Sequence, residues 1–182
     1  MKDSMRSGHE AGRPSLERTI HAEELFRAHA AFTASFLHRL GVPERDVPDL
    51  VQEVFLVIHR KGGFRPGAAQ PRTYVAAIAF RVASAHRRRK RPLLDPAKLE
   101  GGVTHETPHT QLETREALAR VQRCLDELDW EHRAVFVLFE IEGLKAAEIA
   151  ETLEIPEGTV HSRLHHARRR FRAQHAQELS HE

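Results

Sequence analysis

Apolar residues recur along this chain at steps of three, four or seven, and a period of two never persists beyond a few residues, so helices rather than strands must bury its core. Leu25, Phe26, Phe32, Phe36, Leu37 and Leu40 make a first stripe that Gly41 and Pro43 close. Leu50, Val51, Val54, Phe55 and Ile58 make a second, with Asp49, Gln52, Glu53 and His59 off it and Gly62-Gly63 at its end. A third carries Tyr74, Val75, Ile78, Val82 and Ala85 and stops at Pro92. After an aperiodic stretch the stripes return at Leu118, Val121, Leu125 and Leu128, at Val135, Leu138 and Phe139, at Ala146, Ile149, Ala150 and Leu153, and at Val160, Leu164, Ala167 and Phe171. The pattern predicts an all-α fold of two small helical bundles, residues 19–92 and 116–175, with a flexible linker at 93–115 and tails at 1–18 and 176–182. A polar linker without period also predicts that each bundle folds alone.

Composition removes several classes of function. The lone Cys124 can form neither an internal disulfide nor a CxxC knuckle, and it falls near an apolar stripe, where a small core residue belongs. Phosphate loops of the GxxxxGK[ST] or GxGxxG kind are absent, and no Ser/His/Asp or Cys/His grouping can be tied together, so neither catalysis nor a cofactor is expected. No apolar run approaches the ~20 residues of a membrane span, and the opening MKDSMRSGHE lacks the apolar core of a secretory signal. A cytoplasmic protein without membrane insertion is the expectation. A net charge of +2 does not by itself predict nucleic-acid binding, so the placement of charge decides.

That placement is uneven. Six cations and no acid lie between Arg81 and Arg91, on a helix that also offers Tyr74 and Phe80 as stacking surfaces, the combination single-stranded DNA requires. The last two helices are separated only by Glu154-Ile155-Pro156, the spacing of a helix-turn-helix. Pro156 suits a first helical position, and Gly158 lets backbone N–H groups approach a phosphate. With Val160, Leu164, Ala167 and Phe171 inward, His161, Ser162, His165 and His166 face a major groove, flanked by Arg163, Arg168, Arg169, Arg170 and Arg172 for phosphates. An imidazole gains its charge near neutral pH, so such a face predicts tighter DNA binding as pH falls. Asp46, Asp49 and Glu53 beside Gln52 make the second helix acidic; such a stripe repels DNA and predicts a basic protein partner. The residues alone leave open an ordinary helix-turn-helix regulator whose N-terminal bundle senses or dimerises. They also leave open a metalloprotein using His161 and His165 at i, i+4, a spacing His105 and His109 share; no third ligand is tied to either pair.

Residues 20–175 resemble the extracytoplasmic-function (ECF) sigma factors, initiation subunits of bacterial RNA polymerase. LDELDWEHRAVFVLFEIEGLKAAEIAETLEIPEGTVHSRLHHARRRFR, Leu125 to Arg172, is similar to the family's region 4. DLVQEVF, Asp49 to Phe55, resembles the region 2 helix that grips the polymerase β′ coiled coil, and Phe64-Arg65 with YVAAIA, Tyr74 to Ala79, resembles the promoter-melting segment. The resemblance implies that Asp49, Leu50, Gln52, Glu53 and Phe55 bind core polymerase, which the second unit also meets at its β flap. It implies that Phe64, Arg65, Tyr74, Arg81, Arg87 and Arg88 hold the -10 DNA. Glu157, Gly158, Thr159, His161, Ser162, Arg163, His165, His166 and Arg168 are then expected on the -35 duplex, with an anti-sigma protein as a further partner. Five positions depart from the family: Tyr74 replaces its usual Trp, Arg81 its Asn, Glu154 its turn Gly, and His161 and His166 stand where Arg is common. A side chain at 154 implies a strained or altered turn.

Overall fold

A computed structural model describes residues 18–67, 70–90 and 110–180. Most of the predicted linker, most of the N-terminal tail, Arg91, His105 and His109 lie outside these residues. Among the described residues the elements are α1 (Ala22–Arg39), a short 3-10 turn (Glu44–Asp46), α2 (Val47–Arg60), α3 (Pro71–Lys90), α4 (Thr110–Asp126), α5 (Trp130–Phe136) running on into a π turn (Val137–Ile141), α6 (Ala146–Leu153) and α7 (Glu157–Ser180). Two predicted boundaries move. Helix α4 begins at Thr110, inside the expected linker, because Gln111, Leu112, Glu113 and Arg115 favour helix without continuing an apolar stripe. Helix α7 runs past residue 175 to Ser180, and its end is held by Arg123, whose guanidinium donates to Glu178 at 2.6 and 2.8 Å.

Helices α1, α2 and α3 pack on one another around Leu25, Phe36, Leu37, Val54, Ile58, Val75 and Ile78, all essentially buried. Ala76, Ala79 and Ala83 on the inner face of α3 are buried too, and their small size lets it lie close to its neighbours. Pro71 opens α3, where a missing N–H costs nothing. Between α2 and α3 the chain turns at Gly62 and Gly63, both with left-handed φ, and Phe64 pairs with Ile20 through two 2.8 Å backbone hydrogen bonds. This two-residue bridge ties the segment before α1 to the turn before α3.

In the second bundle α7 packs against α4, α5 and α6. Asp129 caps α5 by accepting from the His132 N–H at 3.2 Å. The π turn ends at Gly143 in the left-handed region, which brings Glu142 to the side of the bundle facing α1 and α3. The two bundles pack against each other. Their buried apolar residues form one continuous cluster, because Phe80 of α3 and Trp130 of α5 stack across the join with ring centroids 5.8 Å apart.

The turn at Gly63 yields a prediction. A Cβ there would stand 2.4 Å from the Ile20 carbonyl oxygen, whereas one at Gly62 meets nothing within 4 Å. Both φ angles exceed +80°, so each alanine carries the left-handed penalty of about 1–2 kcal/mol, and Gly63→Ala must also break the bridge. Urea unfolding should show Gly63→Ala less stable than Gly62→Ala by at least about 1 kcal/mol; equal losses would count against the bridge.

Candidate nucleic-acid interface

The helix-turn-helix forms as the spacing predicts. Ile155 N–H returns to the Ala150 carbonyl at 3.0 Å, and Val160 N–H reaches Pro156 at 3.2 Å. Glu154 adopts φ 57°, ψ 45°, so the turn keeps its left-handed residue without glycine, accepting about 1–2 kcal/mol of local strain. Glu157, Gly158, His161, Ser162, His165 and His166 are exposed along one side of α7, and Thr159 is half-buried. The imidazoles are not isolated. His161 lies 3.7 Å from Glu157, and His166 meets His132 and His165 edge-on at 5.9 and 5.8 Å. Asp129 holds His132 at 2.7 Å. Partial burial alone would raise the Asp129 pKa, but the His132 contacts outweigh it and hold the carboxyl below its ordinary value.

Arg163 and Arg168 behave differently from the expectation. Arg163 donates to Glu131 and Arg168 to Glu140, each at 2.5 Å, and Arg168 also lies over the Phe139 ring. Both brace α7 against α5 and the π turn, each guanidinium standing four residues from a member of the buried stripe and reaching an acid on the neighbouring element. Arg169, Arg170 and Arg172 remain exposed.

In the first bundle the basic helix α3 has two occupied sides. On one, Asp46 accepts from Lys90 at 2.6 Å and meets His86 at 3.3 Å, and Arg89 reaches Glu53 at 3.5 Å. On the other lie Phe80, Arg81, Ser84, Arg87 and Arg88. Tyr74 donates its hydroxyl to the Gly63 carbonyl at 3.2 Å and tilts against Phe64 at 5.2 Å. Phe64 itself is buried, which corrects its expected place on DNA: its backbone is pinned to Ile20 and its ring to Tyr74, so the ring is closed to a base. Arg65 and Arg88 are exposed, and Arg81 and Arg87 are exposed yet turned towards the second bundle.

Leu50 and Phe55 are corrected for the same reason. At 3% and 6% exposure they are core residues of α2, on the stripe with Val54 and Ile58, and present no side chain to a partner. Asp49 and Gln52 are open and Glu53 is half-open. The sequence reading missed two residues here: Leu56, 53% exposed, and Phe26 of α1, 44% exposed and edge-on to Phe55. Helical spacing places Leu56 seven residues after Asp49 and four after Gln52, so an apolar residue on the polar strip was a visible signal. Cys124 is buried, and burial, then the Glu178 carboxylate, pushes its thiol pKa up. Among the described residues no group of three or more His, Cys, Asp or Glu could hold a metal, and no helix is long and apolar enough to cross a membrane.

The Asp46 cluster supplies a second prediction. Partial burial pushes its pKa up, but hydrogen bonds from Lys90 and His86 hold the carboxyl below its ordinary value. Its stabilisation is therefore complete above the unfolded value of about 3.9 and disappears as pH falls through the lower folded value. Asp46→Asn should cost about 1–2 kcal/mol at pH 7 and progressively less as pH falls through the folded value, measured by urea unfolding across pH. A cost independent of pH would refute the ionic role.

Comparison with known proteins matches residues 25–92 to Sigma-70 region 2 and residues 118–171 to Sigma-70 region 4. The ECF RNA polymerase sigma factor SigE of Mycolicibacterium smegmatis is 30% identical over 180 residues, spanning 96% of this chain and 68% of that protein. The ECF RNA polymerase sigma-E factor of Escherichia coli K12 is 32% identical over 138 residues, 70% of this chain and 72% of that one. Two solved structures share the fold. The sigma factor RpoE of Bartonella quintana, crystallised with the anti-sigma factor NepR, superposes with a TM-score of 0.67 over 84% of this chain and 94% of that one at 19% identity. CnrH, solved with the cytosolic domain of CnrY, gives 0.57 over 84% and 85% at 24% identity.

Proposed function

The chain belongs to the ECF sigma factors, which direct RNA polymerase to promoters, and from that premise we propose how its two bundles divide the work. The strip Asp49, Gln52, Glu53 and Leu56 of α2, with Phe26 beside it, seats core polymerase. Arg65, Tyr74, Arg81, Arg87 and Arg88 hold the unpaired -10 strand. The open side of α7, from Glu157 to His166, reads the -35 duplex. Opening the duplex costs a few kcal/mol per unstacked base, offset by stacking and by the phosphate contacts of the α3 arginines. The polymerase β′ coiled coil and β flap, and an anti-sigma protein of the kind bound to the Bartonella factor, complete the partners.

The observation that carries this reading is Leu56, an apolar side chain 53% exposed in the middle of an acidic strip. Interfaces are built with an apolar centre and a charged rim, and among the described residues Leu56 stays half open to solvent. Asp49→Arg with Glu53→Arg should abolish co-purification with core polymerase while leaving helical circular dichroism intact. Leu56→Ala should weaken association about tenfold. Undiminished association of both variants would overturn the assignment of α2.

The α7 assignment is tested separately. His161→Arg with His166→Arg restores the family's cations on an exposed face. If that face meets duplex phosphates, each new contact should steepen the salt dependence of -35 binding by roughly one counterion and raise affinity at low salt. An unchanged salt slope in the full chain would remove α7 as the reader.

A further inference from the structure

We propose that the cavity between the turn after α1 and the start of α5 is a binding site for a small organic acid, a carboxylate carried on an apolar body. Such a site depends on neither the polymerase nor the DNA assignment above. The cavity holds about 340 Å³, a size that suits small molecules, at a junction of folded units where their sites concentrate. Leu40, Val42 and Pro43 of the turn, Ala83 of α3, and Leu128 and Trp130 at the entrance to α5 form its apolar walls. Arg133 also lines it, and its side chain is only 7% exposed. Nε of Arg133 donates to the Arg39 carbonyl, and Nη1 pairs with Asp126 at 2.8 Å. Nη2 is buried and has no acceptor among the described residues. Buried donors left without an acceptor are rare in folded chains, and one at the edge of a cavity marks where a ligand's acceptor would go.

The charges around the cavity select the ligand. Burial pushes the Arg133 pKa down while Asp126 pulls it up, so this guanidinium is short of negative charge. Gly41, also in the lining, leaves it uncovered: a Cβ there would stand 2.9 Å from Nη1 and 3.5 Å from Nη2. At the rim Lys90 gives one N–H to Asp46 at 2.6 Å and has two others. Arg87 lies over the Trp130 ring and pairs with no acid among the described residues, and His86 is held by Asp46 at 3.3 Å. The two acids of the lining are already engaged, Asp126 by Arg133 and Gln122 and Asp129 by His132 and the first turn of α5. A single carboxylate therefore meets three cations with spare donors, and charge-assisted bonds of that kind are the strong ones. A second negative charge would have to face Asp126 and Asp129. The apolar walls require the rest of the ligand to be hydrocarbon, since a polar group buried against them would lose its water without replacement.

Octanoate, benzoate and 2-naphthoate, each beside the alcohol of the same skeleton, are the probes for calorimetric titration of the full-length chain. At least one acid should saturate a single site with Kd below about 1 mM, and its alcohol should bind about tenfold to a hundredfold more weakly. The bound acid should move the methyl NMR signals of Val42 and Leu128; octanoate, which is transparent where tryptophan absorbs, should also shift the emission of Trp130, the sole tryptophan. Arg133→Lys, which keeps the charge but loses the fork, and Lys90→Met at the rim should each weaken the acid about tenfold and leave the alcohol unchanged, with helical circular dichroism retained. Should Arg133→Lys unfold, Lys90→Met combined with Arg87→Met gives the same reading from the rim. No saturable binding by any of the three acids would overturn the proposal, as would equal affinity for an acid and its alcohol. Methyl signals that stay in place, affinity untouched by the cation variants, or displacement by inorganic phosphate at concentrations as low as the acid's own would overturn it too.

Discussion

A carboxylate without water must be paired and hydrogen-bonded, and Glu142 accepts from guanidiniums on two helices of the other bundle. Much of the architecture arranges that meeting. The π turn after α5 carries the chain one residue further round than an α-helix would before Gly143 ends it, and such turns recur where a side chain must be redirected. Arg39 is the last residue of α1 and Arg72 the second of α3. Arg133 fastens the Arg39 backbone from below while Asp126 offsets part of its own burial. Ion pairs of this kind contribute little net stability but much geometry, which is what two bundles need if they are to meet in one register.

The opposite charges of α2 and α3 serve each other in a similar way. Asp46 and Glu53 neutralise the side of α3 that carries His86, Arg89 and Lys90, and the helix dipole tolerates this density of cations only because they gather in its last turns. Arg81, Arg87 and Arg88, outside this cluster, lie on the other side with Phe80 among them. The acidic strip proposed for polymerase and the basic strip proposed for DNA are thus two faces of one packed pair.

Periodicity made the helices, the two bundles and the turn at Glu154 legible, because burial on one side of a helix is written directly into residue spacing. It could not separate the two meanings of an apolar residue within a functional helix. Leu50 and Phe55 share the buried stripe of α2, whereas Leu56, chemically no different, stands outside it. Phe64 was misplaced because a two-residue backbone bridge to Ile20 leaves no periodic trace. The docking of the bundles was illegible for a stronger reason: Arg39, Arg72, Phe80, Trp130 and Glu142 are scattered over more than a hundred residues, each resembling an ordinary surface or core position until the fold brings them together. The arginines were legible as cations, but which of them brace α7 and which stay open depended on acids 32 and 28 residues away in sequence.

The order of these residues along the chain matters to a ribosome. Everything the first bundle needs, including the Ile20–Phe64 bridge, has been made once Lys90 emerges, whereas Glu142 lies 52 positions later. At 5–20 residues per second that interval is roughly 3–10 s, ample for three helices to pack. During it the nascent chain presents Arg81, Arg87 and Arg88 uncovered, in the immediate company of messenger and ribosomal RNA.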